Sequence, residues 1–570
     1  MTAQSALSAW SVIQTGSLTD ETALVQRLAA EAALDAPARA AIVAEGADLV
    51  KRIRASSRPG LMEVFLAEYG LSTDEGIALM CLAEALLRVP DAETMDALIE
   101  DKIAPSDWGR HLGKSASSLV NASTWALMLT GKVLDDREGG ITGALRGAVK
   151  RLGEPVIRTA VSRAMKEMGR NFVLGETIDK AMDRAEELEG RGYTYSYDML
   201  GEAARTEADA RRYHLSYSRA ITAIARAAKG SDIRSNPGIS VKLSALHPRY
   251  EVAKRERVME ELVPRVRALA TLAKAAGLGF NIDAEEADRL ALSLEVIEAT
   301  LSDPALKGWD GFGVVVQAYG RRAGAVIDWL HALATRLDRK IMVRLVKGAY
   351  WDAEVKRAQV LGLASFPVFT RKQSTDVSYI ANARKLLSLT DRIYPQFATH
   401  NAHTVAAILH LAKVQGLTAR DYEFQRLHGM GERLHDIVLT GNATRCRIYA
   451  PVGAHRDLLA YLVRRLLENG ANSSFVNQIV DEEVPPEQVA ACPLTMVEAL
   501  AVIPSPALAT GPALFAPRRN SKGWDLTDTA DLAAIEAARA PFADAPFDAA
   551  PRLAGRVVGC LLYTSDAADE

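Results

Sequence analysis

The chain has 570 residues, of which 49% are hydrophobic and 24% are charged, the composition of a globular protein. This length exceeds what a single core usually organises, so two or more domains are expected. The formal net charge of −3 gives no electrostatic support for binding nucleic acid.

The cysteines and the hydrophobic runs indicate in which compartment the protein works and whether it crosses a membrane. The four cysteines, Cys81, Cys446, Cys492 and Cys560, are too scattered for a zinc cage, and their spacing favours a reducing compartment. The first residues lack the order of a signal peptide, and no stretch approaches the ~20 apolar residues of a membrane span. We therefore expect a cytoplasmic protein whose membrane contact, if it has any, is peripheral.

Residues 1–150 are predicted to be helical, because Ala, Leu, Glu and Arg dominate residues 21–56 and 62–87. We interpret this region as a helical arm and packing domain. A ribbon-helix-helix module would require a basic β-strand at its start, and none is found, so no nucleic-acid partner is predicted.

From residue 151 the pattern changes to short strand-like runs, each followed by a helical stretch. The predicted strands are residues 193–200, 239–245, 278–284, 313–318, 340–346, 396–400, 422–427 and 446–450. Eight such units predict an α/β fold, a closed (β/α)8 barrel of the TIM type across residues 151–480. An open, doubly wound sheet is the alternative.

Polar residues collect where these predicted strands end, the edge at which barrel enzymes place their active sites. They are Lys242, Asp283, Glu285, Gln317, Arg344, Lys347, Tyr350, Trp351, Thr399, His400, Asn401, His428, Gly429 and Tyr449. Charged residues within apolar strands are costly unless they are paired. For one residue alone, such as Lys242 paired with Asp283, a structural salt bridge is an equally good explanation. The whole set is better explained by a site.

The charges in this set favour a small carboxylate-bearing substrate. Lys242, Arg344 and the helical pair Arg464 and Arg465 supply cations that bind carboxylates, partly balanced by Asp283 and Glu285.

Other chemistries fit less well. His400 and His403 have the spacing of two metal ligands, but no third ligand is evident, so no metal is predicted. Aromatic residues at the strand ends suit a flat cofactor. Because no GxGxxG motif follows a strand, a flavin is favoured over nicotinamide.

Five stretches carry a resemblance to a known family. They read GISVKLSALHPRY (238–250), NIDAEEADRL (281–290), VRLVKGAYWD (343–352), QFATHNAH (396–403) and RIYAPVGAHRDLLAYLVRRLLENGANSSF (447–475). They resemble the proline dehydrogenase half of proline utilization A, a bifunctional bacterial flavoenzyme. The resemblance covers roughly residues 20–500. It implies a distorted barrel carrying FAD, which oxidises L-proline to 1-pyrroline-5-carboxylate by hydride transfer to flavin N5 and passes electrons to a membrane quinone.

The resemblance also implies residue roles. Substrate binding falls to Lys242, Asp283, Tyr350, Tyr449, Arg464 and Arg465, with Arg344, Asp283 and Tyr449 as catalytic residues. Contacts to FAD fall to Gln317, Arg344, Val346, Gly348, Trp351, Thr370, Lys372, Thr375, His400, Glu468, Ser473 and Phe475. The family further implies a homo-oligomer in its full-length form and peripheral contact with the inner face of the bacterial membrane.

The end of the chain departs from that family. Residues 481–559 are interpreted as a linker into an aldehyde dehydrogenase half that is missing here. Residues 560–570 (CLLYTSDAADE) are predicted to be an adapter-derived artefact, with a genuine short tail as the alternative. A DNA-binding regulator and a different barrel flavoenzyme, such as a folate reductase, remain competing functions.

Overall fold

Three helices open the part of the chain that the structure describes. This computed structural model describes residues 3–55, 173–228, 230, 232–453, 478–479, 481, 483–546 and 552–557. The opening helices are α1 (Ala3–Thr15), α2 (Glu21–Ala32) and α3 (Ala36–Arg54). Asp20 and Asp35 cap α2 and α3 by accepting bonds from the amides of Ala23 and Ala38, at 2.7 and 2.9 Å. The rest of the predicted 1–150 helical domain lies outside the described residues.

Eight parallel strands close into a barrel in which each strand bonds to the next and the eighth returns to the first. They are β1 (Tyr193–Met199), β2 (Gly238–Val241), β3 (Gly279–Ile282), β4 (Phe312–Gln317), β5 (Ile341–Val346), β6 (Ile393–Ala398), β7 (Glu423–Leu427) and β8 (Cys446–Val452). The predicted closed (β/α)8 barrel is confirmed, and the open-sheet alternative is wrong.

Helices precede the first strand and follow the strands in turn. They are α4 (Ile178–Glu189), α5 (Glu207–Ile224), α6 (Leu243–Leu246), α7 (Arg255–Ala275), α8 (Leu290–Leu301), α9 (Ala323–Arg336), α10 (Trp351–Val360), α11 (Lys372–Leu387), α12 (Ala402–Val414) and α13 (Glu432–Asn442). The opening helices pack on this outer ring, with α1 against α9, α2 against α11 and α3 against α12. Two short helices, α14 (Pro486–Val489) and α15 (Pro493–Glu498), come later in the chain.

Strand alternation divides the barrel into an apolar outside and a polar inside. In β1, Tyr195 and Tyr197 are buried in the core between sheet and helices, whereas Ser196 and Asp198 face inward. Barrels of this type commonly fill their interior with branched apolar side chains. Here the inward positions carry hydrogen-bonding and charged groups, which must find partners inside the barrel.

At the amino end of the strands four of those groups are bonded to one another, and we call them the amino-end cluster: Glu423, Arg447, Gln396 and Gln425. Arg447 Nε lies 2.8 Å from Glu423 Oε1, and Glu423 also accepts bonds from both amides at 2.9 Å. The remaining Arg447 donors reach the carbonyls of residues 195, 234 and 236, as well as the second Glu423 oxygen. This cluster fills the floor of the barrel.

The second strand is shorter than the sequence predicted. It ends at Val241, and residues 243–245, which were predicted to continue it, belong to helix α6 (Leu243–Leu246). The carbonyl of Ser244 accepts a bond from Ala204, and its amide donates to Glu285, so neither joins the strand ladder. The prediction of a strand to residue 245 was therefore wrong, and Lys242 lies just beyond the strand.

The start of the predicted linker packs on the opening helices. Arg54 of α3 donates to the carbonyls of Gln478, Ile479, Asp481 and Val484 at 2.7–3.0 Å. Arg39 pairs with Glu498 of α15 at 2.7 Å. Several of the described residues between 478 and 498 are thus hydrogen-bonded to the arginine side chains of α3.

A second compact unit begins at Trp524. It contains α16 (Thr529–Arg539) and a two-stranded antiparallel ribbon, β9 (Arg552–Leu553) and β10 (Arg556–Val557). Across the described residues, no helix combines the length and apolar character needed to cross a bilayer.

Candidate active site

The carboxyl end of the barrel gathers two cations and two carboxylates around one tyrosine. We call these five residues the mouth cluster: Asp198, Lys242, Asp283, Arg344 and Tyr449. They come from β1, β5 and β8 and from the first residues after β2 and β3. The parallel strands bring them together because their carboxyl ends meet at one rim.

Lys242 is a buried cation that contacts three other members of the cluster. Its ammonium lies 2.9 and 2.8 Å from the two oxygens of Asp198 and 3.2 Å from the hydroxyl of Tyr449. A longer ion pair, of 3.3 Å, reaches Asp283. Burial alone would lower the pKa of Lys242, but Asp198, Tyr449 and Asp283 raise it above its ordinary value. The lysine is therefore held in its charged form.

Arg344 is the second cation of the cluster, and its guanidinium contacts residues of three other parts of the barrel. Its Nη1 donates to Asp283 at 3.0 Å, and its Nη2 reaches the hydroxyls of Ser240 and Ser196 at 3.1 and 3.3 Å. Its Nε is buried and has no hydrogen-bond partner within the described residues. Because a buried guanidinium N–H is costly to leave unpaired, this donor favours a ligand or water as its partner.

Asp283 and Tyr449 join the two cations. One oxygen of Asp283 accepts from Arg344, and the other accepts from the Tyr449 hydroxyl at 2.7 Å. The Arg344 guanidinium lies 5.2 Å from the centroid of the Tyr449 ring, within reach of a cation–π interaction. The two carboxylates balance the two cations, so an anionic substrate would need further positive charge.

Asp198 is the member of this cluster that the sequence analysis missed. It is fully buried, and burial raises the pKa of its carboxyl, a rise that the Lys242 ammonium opposes. The signal was present in YTYSYDM, where the alternating tyrosines point one way and place Ser196 and Asp198 on the other face. An aspartate on the inner face of a strand needs a partner.

Several predicted cofactor contacts lie around the same rim. Gln317 ends β4, Val346 ends β5, and Gly348, Tyr350 and Trp351 follow in the loop after β5 and the start of α10. Gly348 has φ +141°, and a Cβ there would meet the Tyr319 ring at 2.4 Å, so glycine is required. The Trp351 indole donates to the carbonyl of Phe369 at 2.8 Å.

The predicted FAD contacts Thr370, Lys372 and Thr375 differ in how many of their polar atoms are already hydrogen-bonded within the chain. Both the amide and the hydroxyl of Thr370 reach Glu21 Oε1 on α2, at 2.8 and 3.0 Å. Lys372 begins α11 and pairs with Asp376 at 2.8 Å, an aspartate that also contacts Lys347. These two lysines hold the pKa of Asp376 below its usual value despite burial. Thr375 lies on the first turn of the same helix.

The two histidines considered as metal ligands, His400 and His403, have different surroundings. His400 Nε2 accepts the amide of Leu427 at 3.0 Å, and burial lowers the pKa of His403 to about 4. No group of three or more His, Cys, Asp or Glu side chains is arranged to hold a metal ion among the residues that the structure covers. The predicted contacts Arg464, Arg465, Glu468, Ser473 and Phe475 lie outside the described residues.

Comparison with known families identifies the barrel. A family model described as Proline dehydrogenase matches residues 181–478, more than half of the chain. The chain belongs to the proline dehydrogenase family. A second model, described as the DNA-binding domain of Proline dehydrogenase, matches residues 61–172, outside the described part. That description runs against the expectation of no nucleic-acid partner, and the described residues of this proline dehydrogenase family member do not test it.

Similar proteins include long and short members. The Bifunctional protein PutA of Salmonella typhimurium is 51% identical over 91% of this chain and 40% of its own length. The Proline dehydrogenase of Deinococcus radiodurans is 26% identical over 58% of this chain and 96% of its own. A crystal structure of Bradyrhizobium japonicum Proline Utilization A is 51% identical with a TM-score of 0.71, over 91% of this chain and 52% of its own. The chain thus spans about two fifths of the curated PutA relative.

Proposed function

We propose that this chain oxidises L-proline to 1-pyrroline-5-carboxylate, the first step of proline catabolism to glutamate. The observation that carries this proposal is the mouth cluster, a charged group at the active-site end of a barrel whose family is proline dehydrogenase. The activity of the long PutA relatives as a whole is not assigned to this chain, because the chain covers only 40% of the length of the Salmonella typhimurium relative.

The proposed cofactor is FAD, which would accept a hydride from the substrate when bound. The fit rests on two features of the described residues. The unpartnered Nε of Arg344 suits a ring that would gain negative charge on reduction. The amino terminus of the 16-residue helix α11, with Lys372 and nearby Lys347, suits phosphate. Gln317, Val346, Gly348, Trp351, Thr370, Thr375 and His400 are proposed as further contacts, with Glu468, Ser473 and Phe475.

The side chains of the mouth cluster would orient proline. Arg464 and Arg465 are proposed to bind its carboxylate, together with Lys242, whose charge is fixed by Asp198. Tyr449 and Tyr350 would line the pocket, and Asp283 would hold Lys242, Arg344 and Tyr449 in one geometry. Fixing the carboxylate at several points converts loose binding into orientation of the reacting C–H bond, the effect that makes intramolecular reactions fast.

The amine of proline must be neutral for its lone pair to assist loss of the hydride. Activity is therefore expected to fall at low pH. The proposed electron acceptor is a membrane quinone, which implies peripheral contact of a cytoplasmic protein with the membrane. A homo-oligomer in the full-length form is part of the same proposal.

Anaerobic flavin spectroscopy tests the activity. Purified protein should be yellow, and L-proline should bleach the flavin absorbance in the absence of oxygen, whereas D-proline serves as the matched control. A colourless protein that does not take up FAD would reject the proposal. Bleaching by a reduced nicotinamide without any response to L-proline would instead assign a different flavoenzyme reaction.

A further inference from the structure

A continuous hydrogen-bond chain runs around the carboxyl rim of the barrel and joins the loops that follow β1 to β5. It begins at Ser244, in helix α6. The Ser244 carbonyl accepts from the amide of Ala204 at 2.9 Å, and its hydroxyl oxygen accepts from the amide of Ala203 at 3.0 Å. Both alanines lie in the loop after β1, so Ser244 ties the first loop to the second.

Glu285 carries the chain onward in both directions. One carboxylate oxygen accepts from the Ser244 amide at 3.0 Å, and the other accepts from the Ser244 hydroxyl. The backbone carbonyl of Glu285 accepts from Gln317 Nε2 at 2.8 Å, and Gln317 Oε1 accepts from the amide of Ala349 at 3.3 Å. Glu285, in the loop after β3, is thus bonded to helix α6 after β2 and to Gln317 at the end of β4, and Gln317 is bonded to the loop after β5.

The placement of Glu285 matters because its neighbours in sequence are site residues. Ser244 lies two residues after Lys242, and Glu285 lies two residues after Asp283. Gln317 is itself a proposed cofactor contact, and Ala349 precedes Tyr350. The chain of bonds therefore controls the spacing of the loops that carry the mouth cluster.

Glu285 is buried, and both of its carboxylate oxygens are hydrogen-bonded to Ser244. Its side chain is only 6% exposed, and the nearest cation, Arg289 Nη1, is 3.8 Å away, beyond hydrogen-bond distance. Glu286 from its own loop and the phenol of Tyr250 are the other ionisable groups that act on it. Burial raises the pKa of Glu285 to about 7, opposed by Arg289. Burying a carboxyl group is costly unless hydrogen bonds compensate, and here the bonds from Ser244 do so.

We propose that Glu285 is a positioning residue that fixes Lys242 and Asp283 relative to each other by clamping Ser244. This inference rests on the proposed function for its kinetic consequence. The clamp itself does not depend on it, because the bonds are between residues of this chain.

The experiment compares Glu285→Ala and Glu285→Gln in the full chain with the exposed control Glu260→Ala on α7. The amide of Gln can still accept from the Ser244 amide, whereas Ala cannot. We expect Glu285→Ala to lower kcat/KM for L-proline about 100-fold, the cost of a displacement of about 1 Å in an oriented site. Glu285→Gln should recover activity to within about fivefold of wild type, the worth of one neutral hydrogen bond.

A second readout is independent of catalysis. Hydrogen exchange followed by mass spectrometry should show faster exchange across residues 242–246 and 283–287 in Glu285→Ala, and wild-type exchange in Glu285→Gln and Glu260→Ala. If Glu285→Ala fails to fold, Ser244→Ala removes the hydroxyl bonds to Glu285 and Ala203 but keeps the amide bond to Glu285. It should therefore give a smaller change in kcat/KM and exchange of the same kind.

The two proposals fail in different ways. If wild type oxidises L-proline and both Glu285→Ala and Ser244→Ala keep wild-type kcat/KM and exchange, the clamp is overturned. Should Gln fail to rescue Ala, the positioning role is also overturned. If wild type ignores L-proline but exchange in the two loops still responds as described, the clamp stands and the proposed function fails.

Discussion

Each end of the barrel interior contains a buried arginine–carboxylate pair, but the two pairs differ in how fully the arginine is hydrogen-bonded. At the floor, Arg447 pairs with Glu423, and the donors of that arginine are matched by acceptors of this chain. At the mouth, Arg344 pairs with Asp283, but its Nε lacks a hydrogen-bond partner within the described residues. A saturated ion pair is a structural element, whereas an ion pair with a donor left over is able to respond to a ligand.

The pairs also differ in what surrounds them. Glu423 is fully buried and belongs to a cluster of amides, whereas Asp283 joins Lys242, Arg344 and Tyr449 at a rim lined with loops. Removing a partner at the floor should therefore affect folding, and removing one at the mouth should affect catalysis. Each prediction below is a way to separate these two outcomes.

The largest effect is expected for Glu423→Ala. This change leaves Arg447 buried without its carboxylate, which typically costs about 3–5 kcal/mol of unfolding free energy. Urea unfolding of wild type and variant measures the loss. The protein that remains folded should keep the wild-type KM for L-proline, and a KM raised tenfold without a loss of stability would contradict a purely structural floor.

The next effect is the pH dependence of the unfolding free energy that Glu285 causes at the carboxyl rim. Burial raises the pKa of Glu285 from 4.5 to about 7 in the folded chain, so the folded state binds a proton that the unfolded state has lost. The stability that this group contributes is complete below pH 4.5 and is lost as the pH rises through about 7. Between those limits the loss is on the order of 3 kcal/mol, at about 1.4 kcal/mol for each pH unit.

Unfolding free energies of wild type and Glu285→Gln measured from pH 4.5 to 8 test this dependence. Wild type should lose stability relative to the variant as the pH rises, because the glutamine has no proton to release. A difference between the two proteins that does not change with pH would refute the assignment to Glu285.

A smaller effect is expected for Asp198→Asn. Lys242 would lose a doubly bonded counter-charge, and a hydrogen bond to a charged group is worth about 1.5–3 kcal/mol. We expect kcat/KM for L-proline to fall by about 10- to 100-fold, since 1.4 kcal/mol corresponds to a factor of ten. The exposed Asp183→Asn on α4 is the matched control, and equal activity of both variants would remove Asp198 from the site.

The barrel and the rim of polar residues could be predicted from the sequence because both follow from repetition. Eight strand-like runs separated by helices define the fold, and polar residues at their ends define the edge, as Gln317 and Arg344 show. The closed eight-stranded barrel confirms the fold part of that prediction.

The sequence could not find every partner. Arg447 lies in a predicted strand, but only the structure shows that it meets Glu423 and the carbonyls of residues 195, 234 and 236. Asp198 was missed, although the alternation in YTYSYDM places it on the inner face of its strand with Ser196. The end of β2 was misplaced because the bonds of Ser244 are made to residues far along the chain, which no local pattern records.

The most direct test of the account compares Asp283→Asn with Glu423→Gln, since each replaces a carboxylate of one buried pair by its amide. The measurements are kcat/KM for L-proline and the free energy of unfolding for both variants. We predict that Asp283→Asn loses most of its activity while remaining nearly as stable as wild type, and that Glu423→Gln loses stability while the folded fraction retains its activity. Wild-type kcat/KM in Asp283→Asn would contradict the claim that the mouth cluster is the active site.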